Sequence, residues 1–310
     1  MDVLVGYTGF VGSNIYDYGT FDHVFNSKNI EQAYGLKPDL LIYAGLRAEK
    51  YLANTAPESD MELIIQAENN ITKIAPKKLV LISTIDVFEV PQNVAEDALV
   101  CTESLQPYGY NRYRLECWVK INYPTALIIR LPGLFGKNIK KNFIYDYIRR
   151  IPFMLKKEKF IELISKNPKL DNYYELQNNG FYKCRSLLMN EELELKQIML
   201  RTGFSALYFT DSRNIYQFYP LKRLWNDIQI ALKNNIHIWH PATEPISAGE
   251  LYKFLCNEEF INEIGEDWIE YNYKTVYAEL FGGKNGYICN KQQIMEEIRT
   301  FVEEERNDGK

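Results

Sequence analysis

Two groups of residues in this 310-residue chain have types and spacing that could do chemistry. The first is Gly6, Gly9 and Gly12, spaced by three. They follow the apolar run Val3-Leu4-Val5 and lead into a helical stretch from Phe10 to Tyr16. A strand, a glycine turn and a helix N-terminus make an anion site, because unpaired amides and the positive end of the helix dipole point into the turn. Gly6 can adopt the turn's strained dihedrals, Gly9 lets a pyrophosphate approach the backbone, and Gly12 lets helix and sheet pack closely. No Gly-Lys-Ser/Thr closes the run, which argues against a P-loop. The second group is Tyr108 and Arg112, behind a proline that starts a helix well. Residues four apart share a helix face, so a phenol and a cation are stacked neighbours.

In order along the chain, these and other segments resemble one family. Gly-x-x-Gly-x-x-Gly with Thr8 before the second glycine resembles the cofactor turn of the extended short-chain dehydrogenases/reductases, which include nucleotide-sugar epimerases, reductases and dehydratases. Ser83-Thr84-Ile85-Asp86-Val87-Phe88 is similar to the family's Ser-Ser/Thr-x-x-Val-Tyr/Phe segment. Tyr108 and Arg112 resemble its Tyr-x-x-x-Lys element, with arginine in the lysine's place. Arg130 to Gly136 resembles its Arg-x-x-x-x-(Tyr/Phe)-Gly loop. The resemblance implies a catalytic set of Thr84, Tyr108 and Arg112. It also implies a nicotinamide dinucleotide held by Gly6, Thr8, Gly9, Phe10, Val11, Gly12, Ala44, Gly45, Tyr108, Arg112 and Leu131. About twenty residues past the turn, where an NAD-selective site carries an acid, this chain has Asn26, Ser27 and Lys28. A hydroxyl and a cation suit a 2′-phosphate, so NADP is preferred over NAD. Lys50, Asn142 and Arg213 are candidate substrate contacts, although Asn142 fits a helix N-cap equally well. Arg130, Lys137, Arg213, Lys222 and Arg223 are candidate partners for a substrate diphosphate.

Hydride transfer at a sugar carbinol or ketone needs a group that exchanges a proton as the hydride moves. Bringing a tyrosine from pKa about 10 to near 7 requires roughly 4 kcal/mol of preference for phenolate. A cation about 4–5 Å away supplies about 3–4 kcal/mol at an effective dielectric near 20, so Arg112 is expected to lower the phenol. A guanidinium stays charged and cannot hand on a proton, so a lysine-type relay is absent. The family's dehydratases follow the catalytic Thr with Asp-Glu, whereas Ile85-Asp86 follows here, which argues against sugar dehydration. The expected function is an NAD(P)-dependent reductase or epimerase acting on a nucleotide-activated sugar. The alternative is a catalytically impaired NADP(H)-binding sensor of the same fold.

The elements that must position these residues are an alternation of strands and helices over 1–150. The expected fold is α/β, a Rossmann-type doubly wound parallel sheet with a smaller C-terminal substrate-binding lobe. The apolar runs at 39–44, 78–83 and 126–130 are its further strands, with a helix near 59–74 that is short for the family. The alternation places 1–152 and 203–235 in the dinucleotide domain and 153–202 with 236–310 in the lobe. The net charge of −5 argues against nucleic-acid binding. Five scattered cysteines and three histidines make neither a disulfide framework nor a metal site. No apolar run reaches membrane-spanning length and no signal peptide is visible, so the expected compartment is the cytoplasm. Family dimers pair the helices at about 59–74 and 107–121, which leaves a homodimer open here.

Overall fold

A computed structural model describes residues 1–307. The chain divides into two compact units. The first comprises Met1–Ile139, Ile215–Ile246 and Glu270–Met295; the second comprises Lys140–Asn214, Ser247–Ile269 and the chain from Glu296 onward. Among the described residues no helix is long and apolar enough to cross a membrane.

The first unit is built on a parallel sheet, as the continuous apolar runs require. Its strands and helices in chain order are β1 (Asp2–Val5), α1 (Phe10–Tyr18), β2 (His23–Phe25), β3 (Leu40–Tyr43), α2 (Lys50–Thr55), α3 (Pro57–Ile74), β4 (Lys78–Thr84), α4 (Pro107–Asn122) and β5 (Leu127–Leu131). With the later strand Ile238–Trp239 at one edge, six strands lie in the order Ile238–Trp239, β5, β4, β3, β1, β2. All their pairings are parallel. The chain runs from β1 outward to β2, then crosses back over β1 to β3. This reversal is the topological switch point, and open α/β sheets bind ligands at the carboxyl ends of the strands there. Both strands at that point end in the glycine-containing segments singled out above, at Gly6 and at Ala44-Gly45. Val3, Leu4, Val5, Leu41, Ile42, Leu79, Val80 and Leu81 are all buried, covered on one side by Ile64, Ala67, Ile71 and Ile74 of α3 and Leu115 and Val119 of α4.

Helix α3 starts at Pro57, whose missing N–H costs nothing at a first turn, and Glu58 and Asp60 oppose the dipole there. It ends at Ala75, with a left-handed φ of 54°.

Several boundaries differ from the alternation in the sequence. The segment from residue 236 onward does not belong wholly to the lobe, because Ile238–Trp239 pairs in register with Ile128 and Ile129 of β5. Residues 270–295 also fold with the sheet unit, through single bridges from Asn272 to Gln92, Glu270 to Ile215 and Cys289 to Thr243. A two-residue strand and isolated bridges leave no periodicity to read. The first unit also ends near Ile139 rather than at 152. Two short strands, Ile215–Tyr216 and Phe218–Pro220, follow one another in the sheet unit. The buried Gln217 between them exchanges hydrogen bonds with the backbone of Tyr273, each 2.9 Å long.

The second unit has its own core of Leu155, Phe160, Leu163, Leu170, Leu195, Ile198 and Met199. It contains the helices Lys157–Lys166 and Met189–Thr202. A three-stranded antiparallel sheet joins Met154–Leu155, Tyr182–Cys184 and Tyr174–Leu176.

Candidate active site

At the carboxyl end of β1, Gly6 and Gly12 each meet a steric condition that a side chain would violate. Gly6 has φ +93°, and a Cβ there would lie 2.3 Å from the Ala44 carbonyl oxygen. A Cβ on Gly12 would lie 2.1 Å from the Gly6 carbonyl oxygen, so α1 rests directly on the turn. Gly9 is the N-cap of α1, its N–H bonds Gly6 O at 2.9 Å, and no side chain caps the helix start. The amide-rich end of α1 is therefore open to an anion, with Thr8, Phe10 and Val11 beside it. The buried Asn14 anchors α1 from its far face, donating to Phe10 O at 2.9 Å and Lys137 O at 2.8 Å.

Beyond β2, Asn26 Oδ1 accepts the Lys28 amide at 2.9 Å and Asn29 Oδ1 accepts the Asn26 amide at 2.8 Å. This turn holds Ser27 and Lys28 exposed at the same edge of the sheet. At the ends of β4 and β5, Thr84 lies opposite Leu131 in register, and both are buried. The Thr84 hydroxyl accepts the Asp86 amide at 3.2 Å and stands in hydrogen-bonding reach of the Tyr108 phenol. Helix α4 can come this close because residue 109 is glycine. A Cβ there would sit 2.1 Å from the Asp86 carbonyl oxygen. Asn54 Oδ1 accepts the Tyr108 amide at 2.9 Å, fixing the first turn of α4 from α2.

Arg112 is placed differently from expectation. Its guanidinium stands 4.6 Å from the Tyr108 ring centroid, but it is buried and bidentate to Asp60 of α3, at 2.8 and 3.0 Å. It also donates to Arg47 O at 2.7 Å, while Asn111 donates to the same Asp60 carboxylate at 2.9 Å. The carboxylate offsets only part of the charge that Arg112 lends the phenol. Burial raises the Tyr108 pKa above the ordinary tyrosine value; Arg112 and Thr84 oppose this, while Asp86 and Asp60 reinforce it. The phenol is thus held protonated in the chain by itself, not brought near neutrality.

Further residues, not recognised from the sequence as a group, complete the surroundings. Asp86 Oδ1 receives the Tyr271 hydroxyl at 2.8 Å and pairs with Lys50 at 3.0 Å. Lys50, a candidate substrate contact, therefore stands beside Asp86, close to Thr84. Glu116 lies one and two turns beyond Arg112 and Tyr108 on the same face of α4 and is fully buried. It holds Arg130 of β5 at 2.7 Å and accepts the Ser83 hydroxyl at 2.6 Å. Arg130 reaches on to His240 Nε2 at 3.3 Å, and His240 Nδ1 faces Lys274 O at 3.2 Å. Burial and Arg130 push the His240 pKa down to about 3, so the imidazole is neutral. The Tyr108–Arg112–Glu116 spacing was the available signal for this arrangement; the partners Asp60 and Arg130 come from other elements.

Arg130 is therefore a core residue and not a diphosphate contact. Lys137 pairs with Asp17 at 2.8 Å, and Arg223 donates to Cys289 Sγ at 2.7 Å. In the second unit, Asn142 caps the helix Phe143–Arg149, accepting the Ile144 and Tyr145 amides at 3.0 and 3.2 Å. Arg213 forks onto Asp211 at 2.9 and 2.7 Å, donates to Gly265 O and lies over Trp268. The N-cap reading of Asn142 thus describes its local contacts. Among the described residues no group of three or more His, Cys, Asp or Glu could hold a metal ion.

No protein-family model matches the chain, and no curated protein matches its sequence. Solved structures do match its fold. The UDP-glucose 4-epimerase of Thermotoga maritima, solved with UDP-glucose, superposes with a TM-score of 0.64 at 13% identity, over 100% of both chains. The fold is that of the extended short-chain dehydrogenases/reductases. The dTDP-4-dehydrorhamnose reductase of Bacillus anthracis, in complex with NADP, gives a TM-score of 0.61 at 16% identity, over 98% of this chain and 97% of that one. RMD of Pseudomonas aeruginosa, complexed with NADPH, gives 0.58 at 15% identity, over 98% and 99%. At these identities the likeness within the short-chain dehydrogenase/reductase fold is one of architecture.

Proposed function

We propose that this protein is an NADP(H)-dependent reductase acting on a keto group of a nucleotide-activated sugar. The observation that carries the direction of reaction is the burial of Tyr108 beside a guanidinium already paired with Asp60. An epimerase must first oxidise a carbinol and needs a phenolate to take its proton. A ketone reductase needs a phenol that gives one. Burial, reinforced by Asp86 and Asp60, outweighs the Arg112 cation and keeps the phenol protonated, which favours the second task.

The glycine turn fits a dinucleotide because two of its glycines lie where a Cβ would collide with backbone and the helix behind it has an uncapped start. In this reading Gly6, Thr8, Gly9, Phe10, Val11 and Gly12 hold the pyrophosphate. Asn26, Ser27 and Lys28 receive a 2′-phosphate, and Ala44, Gly45 and Leu131 line the rest. The bound reduced cofactor supplies a hydride. Tyr108 donates its proton to the carbonyl oxygen as that oxygen gains charge. Thr84 hydrogen-bonds the same oxygen and fixes its orientation. Arg112 acts by holding the Tyr108 ring in place, not as a proton relay. Lys50 and Asp86 offer a donor and an acceptor to sugar hydroxyls.

The test is to supply NADPH with a panel of 4-keto nucleotide sugars, follow reduced-nicotinamide absorbance and analyse the products. Stoichiometric conversion of one ketone to an alcohol is expected. Product epimerised without net NADPH consumption would contradict the assignment of direction. Asp60 also favours a second reading, since it engages Arg112 that would otherwise reach a cofactor ribose. A sensor would bind NADPH tightly and turn over none of the panel.

A further inference from the structure

The second unit holds two arginines that the reaction above does not use. Arg150 follows the helix Phe143–Arg149 with a left-handed φ of 61°, a position where glycine or asparagine is the unstrained choice. From there its Nε donates to Tyr147 O at 2.9 Å, and its guanidinium stands 4.7 Å from the Tyr147 ring and 5.4 Å from the Tyr252 ring. Arg306 stands 5.1 Å from the same Tyr147 ring. The two rings meet edge to face, 5.6 Å apart.

Charge balance sets this pair apart. Nearby arginines of the unit are matched, Arg149 with Glu192 at 2.9 Å, Arg185 with Glu191 at 2.6 Å and Arg213 with Asp211 at 2.7 Å. Neither Arg150 nor Arg306 is salt-bridged to any described residue. Their side-chain partners are phenols, with Tyr252 in hydrogen-bonding reach of Arg150 and Tyr147 in reach of Arg306. Two guanidiniums around one ring repel each other. The phenols limit the swing of each guanidinium, and Arg150 is half-buried while Arg306 is exposed. A pre-oriented pair of guanidinium forks suits a tetrahedral oxyanion. Tyr147 is 1% and Tyr252 9% exposed, so neither ring face is open to stack a nucleobase, and the group recognised is the anion alone.

We propose that Arg150 and Arg306 form a seat for a phosphoryl group, either free phosphate or the end group of a small phosphorylated molecule. The seat is independent of the dinucleotide reading. It is tested by calorimetric titration of the full chain with inorganic phosphate and with glucose 1-phosphate, at ionic strength fixed with chloride. Wild type is compared with Arg150→Gly and Arg306→Ala. Glycine adopts the φ of residue 150 without strain and residue 306 is exposed, so both variants are expected to fold, and circular-dichroism melts check this. The expected result is binding of at least one of the two phosphates that weakens tenfold or more in both variants. A preference between them distinguishes the free from the esterified source. No binding of either by wild type, or unchanged affinity in either variant, would overturn the proposal.

Discussion

Tyr108 is governed by its neighbours, and the sign of each neighbour's effect can be tested separately. Asp60 and Asp86 both raise its pKa, so removing either negative charge should lower it. In ketone reduction the protonated phenol is the active form, so activity falls as pH rises through the Tyr108 pKa. Asp86→Asn is therefore expected to move the alkaline limb of the kcat/KM profile to lower pH. Asp60→Asn should move it in the same direction but less, because Asp60 raises the phenol less than Asp86 does. That second change also leaves a buried guanidinium unpaired, which should cost about 3–5 kcal/mol in a denaturant titration. A limb that stays fixed in both variants would mean that Tyr108 is not the titrating acid. Little of this was legible in the sequence. Tyr108 and Arg112 could be paired by helical spacing, but Asp60 is one of 41 acids and lies on a different helix. The phenol is raised chiefly by its burial, which helical spacing does not show. Arg130 misled for the same reason, since a buried strand arginine looks like a free cation until Glu116 is placed beside it.

At the scale of elements, α4 is fixed by two buried ion pairs of opposite polarity along one face, Arg112 to α3 and Glu116 to β5. Its amino end is set by Gly109 against the Thr84–Asp86 turn. Gly109→Ala would place a methyl 2.1 Å from a backbone oxygen. The helix must then shift, and overpacking of this kind typically costs about 1–3 kcal/mol. The expected outcome is a lower melting temperature together with a kcat loss larger than any change in NADPH affinity, because Tyr108 moves while the N-terminal turn does not. An unchanged kcat would show that the Thr84–Tyr108 spacing is not critical. Gly12 makes the same close contact on α1, and there the sequence was informative. Glycine at that spacing, between an apolar strand and a helix, reports a steric requirement that no other residue meets. Gly109 lay within a recognised motif, but the backbone it approaches could not be read from spacing.

For the whole molecule, the alternation of apolar runs was enough to read the sheet, because a doubly covered parallel strand must be apolar along its length. The edge strand Ile238–Trp239 and the return of 270–295 to the sheet unit were not legible, since both depend on pairings a few residues long. The stability of the whole chain should also vary with pH through single buried groups. Burial raises Asp146 from 3.8 to about 7. A carboxyl with a raised folded-state pKa binds its proton more tightly when folded. Its contribution is thus intact below the unfolded value near pH 4 and is lost as pH rises to about 7. Asp146→Asn is expected to match wild type in melts at acid pH and exceed it by roughly 2–4 kcal/mol above neutrality. Equal stability across the range would mean that the carboxylate is well solvated.

The most direct test of the proposed chemistry is the rate of NADPH oxidation with the preferred keto sugar nucleotide, measured for wild type and Tyr108→Phe alongside NADPH affinity by fluorescence titration. Removing the proton donor should lower kcat by roughly 10²–10⁴-fold and leave NADPH binding almost unchanged. Equal rates in the two proteins would contradict the role assigned to the phenol.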